Sequence, residues 1–483
     1  MMRRLALRCV IAVLPFLAVQ GTAATPNVLV IYVDDLGYGD TAVYGHPVVQ
    51  TPHIDRLARE GLRFSQFYAP SALCSPSRAG LLTGRIPYRT GVRDWIPDGS
   101  SVALGRNEQT LAHLARSRGY RTAVIGKWHL NGGLGMVAAP QPRDFGFDYQ
   151  FGLDAWVKNA AVADSTQVPR RGHMYPDNLY RQNKPLGAMQ QYSAELVSDE
   201  AIAWLGRDDA PFFLYLTYSE VHTPIASPRR WLETYAEFLT DEARANPLLY
   251  YFDWRNRPWR GRGEYYANVS YLDEQLGRVV DYLRARGRLD DTLVVFSSDN
   301  GPVTAAALTP WELGMAGETG GLRGKKRFLF EGGIRVPGIV RYPERVAAGA
   351  VSDVPVTALD VFPTVAPLLG VEPAGDAPLD GDSLLPLLAG ETLSRRHPLF
   401  WAIATPDGSE YALREGDWKL ILDGDLQPRH LFNLAEDFYE VDDRLAREPE
   451  RSARLRELAR ERVEAIAGDP LLLEREKTYQ ASP

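Results

Sequence analysis

Disulfide chemistry is nearly closed to this chain, because its 483 residues contain only two cysteines, Cys9 and Cys74. The first falls in a segment with the marks of a removable leader. Arg3, Arg4 and Arg8 form a positive start, Cys9–Val19 is an apolar run too short to span a bilayer, and Thr22-Ala23-Ala24 supplies small residues. Residues 1–24 are therefore expected to be a secretory signal peptide, cleaved near Ala23 or Ala24, and the product to be periplasmic or secreted. Cleavage leaves Cys74 alone, which excludes an internal disulfide and marks a single thiol in an exported chain. It also moves the formal net charge from −7 to −10, so no nucleic-acid partner is expected. No other apolar run reaches membrane length, so no membrane partner is expected after cleavage. Repeats and low-complexity tracts are absent too, and the composition is that of a globular protein.

Long apolar runs that stop abruptly at polar residues are what the chain does have. Val28–Val33 stops at Asp34-Asp35, Thr122–Ile125 at Gly126-Lys127-Trp128-His129, Phe212–Thr217 leads to Glu220-Val221-His222, and Leu293–Phe296 leads to Ser298-Asp299-Asn300. Such runs predict strands buried on both faces. Helical patterns separate them, at Thr51–Glu60, Leu111–Arg118, Ser193–Leu205 and Tyr265–Arg286. The alternation predicts an α/β sheet covered on both sides, with the polar residues collected at the strands' C-terminal edge, where open sheets bind ligands.

Val356–Gly370 has the pattern of one amphipathic helix, and Glu372–Pro378 that of a linker. Beyond it, Leu399–Trp401, Tyr411–Leu413, Trp418–Leu422 and His430–Phe432 predict a small antiparallel sheet, followed by a charged helix over Glu450–Ala467. The expected organisation is residues 25–371 as the catalytic domain and 372–483 as a small C-terminal unit without chemistry of its own.

Cys74 opens a further helical pattern, with Ser75 placed to cap it and Pro76 in its first turn. A helix start favours anions, and Arg78 lies one turn on. Asp34, Asp35, Asp299 and Asn300 offer only hard oxygen donors, which suit Ca²⁺ or Mg²⁺ better than zinc.

Leu73-Cys74-Ser75-Pro76-Ser77-Arg78-Ala79-Gly80-Leu81-Leu82-Thr83-Gly84 resembles the signature of the type I sulfatases, and Gly119–His129 resembles that family's second signature. Asn27–Asp40, Ser298-Asp299-Asn300-Gly301, Gly321–Lys326, Glu331-Gly332-Gly333 and Arg335-Val336-Pro337 match in the same order. The resemblance implies an alkaline-phosphatase-like fold: a large, mixed, mostly parallel sheet sandwiched by helices, plus the small C-terminal sheet and helix. It implies that a formylglycine-generating enzyme oxidises Cys74 to Cα-formylglycine (3-oxoalanine). One hydroxyl of the hydrated aldehyde would attack sulfur, and the other, deprotonated, would expel sulfate.

The resemblance further implies Ca²⁺, or Mg²⁺, held by Asp34, Asp35, Asp299, Asn300 and the side chain at Cys74. Arg78 would hold the hydrated aldehyde, and Lys127 and Lys326 would bind sulfate oxygens. His129 would deprotonate the diol, and His222 would contact the ester and, with Lys326, protonate the leaving alcohol. Lys325 competes with Lys326, but the spacing to Glu331-Gly332-Gly333 favours Lys326. A further sulfate contact could come from Asp154 or Asn159.

The expected substrate is a sulfated saccharide or an aryl sulfate. Pro169–Tyr175 and Trp254–Arg262, with Arg257 and Arg260, combine arginine with aromatic rings, as a sulfated sugar would require, although solvated loops fit equally. Phosphonate or phosphate ester hydrolases of the same superfamily form the competing enzyme class. An inactive carbohydrate-binding relative is the non-enzyme alternative.

Overall fold

The computed structural model describes residues 26–155, 176–222, 225–239, 262–303, 317–373 and 377–480. The expected leader, Pro169–Tyr175, Asn159 and Trp254–Gly261 lie outside these residues.

Eleven strands form one sheet, in the order β10 (Ala350–Ser352), β2 (Leu62–Tyr68), β9 (Arg335–Arg341), β8 (Thr292–Ser298), β1 (Asn27–Val33), β7 (Phe212–Thr217), β3 (Arg121–Lys127), β4 (Tyr149–Leu153), β5 (Tyr180–Arg181) and β6 (Lys184–Pro185). The eleventh, β11 (Val356–Thr357), also pairs with β2. The central strands β8, β1, β7, β3 and β4 are parallel. β9 runs antiparallel to both β8 and β2, because the chain leaves the sheet after Ser298 and re-enters at the same edge.

β1 shows why the sheet is layered. Val28, Val30 and Tyr32 enter one core, while Leu29, Ile31 and Val33 enter the other. Helices α1 (Pro52–Glu60) and α4 (Ser193–Leu205), with the long helix Arg262–Ala285, cover the second face. Helices α2 (Cys74–Thr83) and α3 (Leu111–Ser117) cover the first. Each fully buried aliphatic side chain on these strands contributes roughly 1.5–3 kcal/mol.

Two local expectations are corrected. Val356–Gly370 is not one helix: β11 is followed by a 3₁₀ turn, Ala358–Asp360, and then a helix over Val361–Leu368. Asp360 Oδ2 accepts the Thr357 amide at 2.8 Å, and this cap resets the chain direction. Ser75 does not cap α2 either. The N-cap position is Leu73, and Ser75 Oγ accepts the Ile96 amide at 3.1 Å instead.

The second sheet is an antiparallel meander of β12 (Leu399–Thr405), β13 (Gly408–Glu415), β14 (Trp418–Leu422) and β15 (Pro428–Asn433). One face packs Phe400, Leu413, Leu420 and Leu431 against Leu455 and Ala459 of the helix Pro449–Ala467. The other packs Trp401, Ile403, Ala412 and Ile421 against Tyr68, Ala72, Leu329 and Ile334 of the large body. The small sheet thus rests on the segments that flank Cys74 and Lys326.

Candidate active site

Six segments converge at the C-terminal edge of the main sheet. In the β1–β8 register Val33 pairs with Ser298, so the residues that follow, Asp34-Asp35 and Asp299-Asn300, emerge side by side. Ser298 fixes them, accepting the Leu36 amide at 3.0 Å and donating to Asn300 O at 3.0 Å. Asp35 itself is in the left-handed region, with φ 61°, a conformation that costs a non-glycine residue free energy. β3 delivers Lys127 and, past Trp128, His129. Gly126 is required before them, because a Cβ there would lie 1.6 Å from Thr217 O on β7.

Cys74, the first residue of α2, is at the centre and only 2% exposed. Its Sγ lies 3.4 Å from Asp34 Oδ1 and 3.2 Å from Lys326 Nζ. Lys326 also donates to Asp35 Oδ1 at 2.6 Å, where Asn300 Nδ2 donates at 2.7 Å. Lys325 turns away and donates to Gly317 O at 3.1 Å. Arg78, wholly buried, places Nε and Nη2 on Asp299 Oδ2 at 3.0 and 2.7 Å and donates from Nη1 to Lys127 O at 3.1 Å. Lys127 Nζ pairs with Asp34 Oδ2.

The two histidines differ in access. His129 is buried, and its Nε2 donates to Ile96 O at 3.1 Å. Nδ1 is then the bare acceptor of the neutral ring, and it has no hydrogen-bond partner among the described residues. His222 Nε2 lies 3.8 Å from Asp35 Oδ2 with its side chain 19% exposed, and that of Lys326 is 12% exposed. These two residues therefore mark the side on which the site opens. Asp154 accepts the Leu134 amide through one carboxylate oxygen.

Charge is unevenly divided over the carboxylates. Burial alone would raise Asp34, but Lys127, His222, Arg78 and Lys326 outweigh it and hold Asp34 well below the usual range. Burial, then the neighbouring Asp34 charge, pushes Asp299 up to about 7 despite Arg78. Burial also pushes the Cys74 thiol up, so the unmodified cysteine is a weak nucleophile here. Burial, reinforced by Lys326 and Lys127, moves His222 down to about 4 against the pull of Asp34 and Asp35.

A hard divalent cation fits this arrangement. Ligand atoms of Asp34, Asp35, Cys74 and Asp299 all lie within 4.8 Å of one another. Asp35 Oδ2 and Asn300 Oδ1 are buried without a hydrogen-bond partner among the described residues. His222 and the Cys74 sulfur lie beside this group, but the crowded carboxylates with orphaned oxygens make its donors mainly hard oxygens, which suit Ca²⁺ or Mg²⁺.

Two supports of the site had no sequence signal. Ile96 orients His129 through a backbone carbonyl, and Thr217, the last residue of an apolar run, donates to Lys127 O at 2.8 Å.

The geometry agrees with what the chain is similar to. The family model described as Sulfatase matches residues 26–371, and one for the C-terminal part of N-sulphoglucosamine sulphohydrolase matches residues 318–467. Human arylsulfatase A is 34% identical over 415 residues, covering 82% of this chain and 75% of that protein. Pig N-acetylgalactosamine-6-sulfatase is 32% identical over 406 residues, covering 80% and 70%. Among solved structures, Ps i-CgsB in complex with k-i-k-neocarrahexaose superposes with a TM-score of 0.77 at 27% identity, covering 93% of this chain and 94% of that one. A match over most of the chain, on a sheet edge that gathers acids, cations and imidazoles around one buried cysteine, means that the chain belongs to the sulfatase family and is a sulfuric ester hydrolase.

Proposed function

We propose that the enzyme removes sulfate from a sulfated saccharide, by S–O cleavage at residue 74 after that cysteine has become formylglycine. The observation that carries this is the position of Cys74 Sγ, 3.4 Å from an Asp34 carboxylate oxygen and 3.2 Å from the Lys326 ammonium. The hydrated aldehyde supplies one hydroxyl to attack sulfur and a second whose proton loss expels sulfate. Asp34, Asp35, Asp299 and Asn300 are the residues to hold Ca²⁺, or Mg²⁺, which supplies Lewis-acid stabilisation of sulfate charge when bound.

The protein's own groups divide the remaining work. Arg78 keeps Asp299 and the Lys127 carbonyl in place and steadies the residue-74 side chain. Lys127 and Lys326 supply positive charge to sulfate oxygens in a site that excludes water, where such contacts count most. His129 Nδ1, bare and buried, takes the proton whose loss releases sulfate. At the open side, Lys326 gives a proton to the departing alcohol and His222 hydrogen-bonds the ester oxygen. A sugar is favoured as that alcohol because pig N-acetylgalactosamine-6-sulfatase and the Ps i-CgsB complex both concern carbohydrates. Residues 1–24 support export to the periplasm or beyond, and the position of the small sheet supports a catalytic unit over 25–371 with 372–483 attached.

The test combines mass spectrometry and kinetics on protein made with its maturation enzyme. The peptide containing residue 74 is expected to have exchanged sulfur for oxygen and lost two hydrogens, and the protein to prefer an aryl sulfate over an aryl phosphate diester. An intact thiol in active protein, or higher efficiency on the phosphodiester, overturns the proposal. A panel of defined sulfated saccharides then identifies the sugar.

A further inference from the structure

The loop that brings Lys326 to Cys74 is held from the small C-terminal unit. Near the site, Lys326 N donates to Pro302 O at 2.8 Å and Arg327 N to Ala72 O at 3.0 Å. The loop's two sides are closed by Gly332 N on Arg323 O at 2.7 Å. Both sides then meet one residue. Arg323 Nη1 donates to Glu440 O at 2.9 Å, and Glu331 N donates to Glu440 Oε2 at 2.7 Å. The other oxygen, Glu440 Oε1, accepts Lys419 Nζ at 2.9 Å, and Lys419, on β14, also donates to Glu331 Oε1 at 2.9 Å. Glu331 Oε2 in turn accepts Tyr68 OH at 2.7 Å. Glu331, Lys419 and Glu440 are each 0% exposed.

A buried carboxylate–ammonium chain of this kind is poor value as a stabiliser, because desolvation offsets most of the attraction. Its directional bonds do fix geometry, and here the carboxylate and the carbonyl of Glu440 bond only to the Lys326 loop and to Lys419 among the described residues. We infer that Glu440, backed by Lys419, is a positioning residue for leaving-group protonation, holding the loop so that the Lys326 ammonium stays within reach of residue 74. The C-terminal unit then acts on the chemistry without touching the substrate.

This inference rests on the role proposed for Lys326, and the experiment separates the two. Rates are measured for Glu440→Ala, Arg323→Ala, Lys326→Ala and the double variant Glu440→Ala/Lys326→Ala on 4-nitrophenyl sulfate, whose alcohol leaves unaided, and on an alkyl or sugar sulfate, whose alcohol needs a proton. Lys326→Ala is expected to lose much more on the second ester. Glu440→Ala should show the same asymmetry, about 10- to 100-fold on the poor leaving group, and should add little to Lys326→Ala. Arg323, exposed on the loop, gives a variant that folds and should shift rates in the same direction by less. Amide hydrogen exchange over residues 323–332 should be faster in both positioning variants, and Glu440→Gln, which keeps an acceptor for the Glu331 amide, should restore part of the protection and part of the rate. Equal losses on both esters in Lys326→Ala overturn the role of Lys326. A normal asymmetry there, with equal losses or full additivity in Glu440→Ala and equal losses in Arg323→Ala, overturns the positioning inference alone.

Discussion

Arg78 rests two guanidinium nitrogens on a single oxygen of Asp299, at 3.0 and 2.7 Å, with both side chains shut away from solvent. Arg78→Ala should therefore destabilise the protein by about 3–5 kcal/mol, since it leaves a buried carboxylate uncompensated. Arg78→Lys keeps the charge but cannot serve Asp299 and Lys127 O together, and should fall between. Urea midpoints at unchanged slope measure both.

The orphaned oxygens of Asp35 and Asn300 predict a stabilising cation. Ca²⁺ at about 100 times its dissociation constant should add about 2.7 kcal/mol to the unfolding free energy. Asp35→Asn should lose most of that increment, and chelation should remove activity from the parent enzyme. A thermal shift as large in Asp35→Asn as in the parent would show that the ion binds elsewhere.

His129 sets a pH limit. Burial, and then the Lys127 and Arg78 charges, hold it well below the usual imidazole range. The ring is thus neutral and able to take a proton at pH 7, and the acid-side loss of kcat should begin only below pH 6.5. His129→Ala should lower kcat by about 10²–10⁴-fold and leave a stoichiometric burst of alcohol, because the later proton removal is what fails. A steady-state rate without a burst would place His129 in the first step.

Glu331 makes stability depend on acid. Burial opposes its charge, but Lys419, Arg335 and Arg414 lower it to about 2. The folded value is below the unfolded one, so the unfolded chain binds more protons between them. This contribution is complete above an unfolded pKa of about 4.3 and is lost as pH falls toward 2. Unfolding free energies measured through that window should fall less steeply for Glu331→Gln than for the parent.

Much of the catalytic edge was legible because strands covered on both faces are written as unbroken apolar runs, and their ends are then conspicuous. Asp34-Asp35 and Asp299-Asn300 stood out for that reason. β2 and β9 did not. Leu62–Tyr68 mixes serine, glutamine and arginine with its apolar residues, and β9 contains Pro337. The register between them shifts over Phe64 to Phe67, opposite that proline, so β2 bulges where its partner has no amide to offer. Glu440 and Lys419 were invisible for a different reason. A charged residue in a C-terminal loop, or alternating with apolar residues on a short strand, reads as solvated, and only the packed tertiary structure shows that it is enclosed.

All ten residues of α2, from Cys74 to Thr83, are buried. A catalyst that recognised this stretch as extended peptide could reach it only while the chain was still unpacked. Modification and folding would then compete in time, and substitutions that merely speed collapse could lower the active fraction without altering any finished molecule.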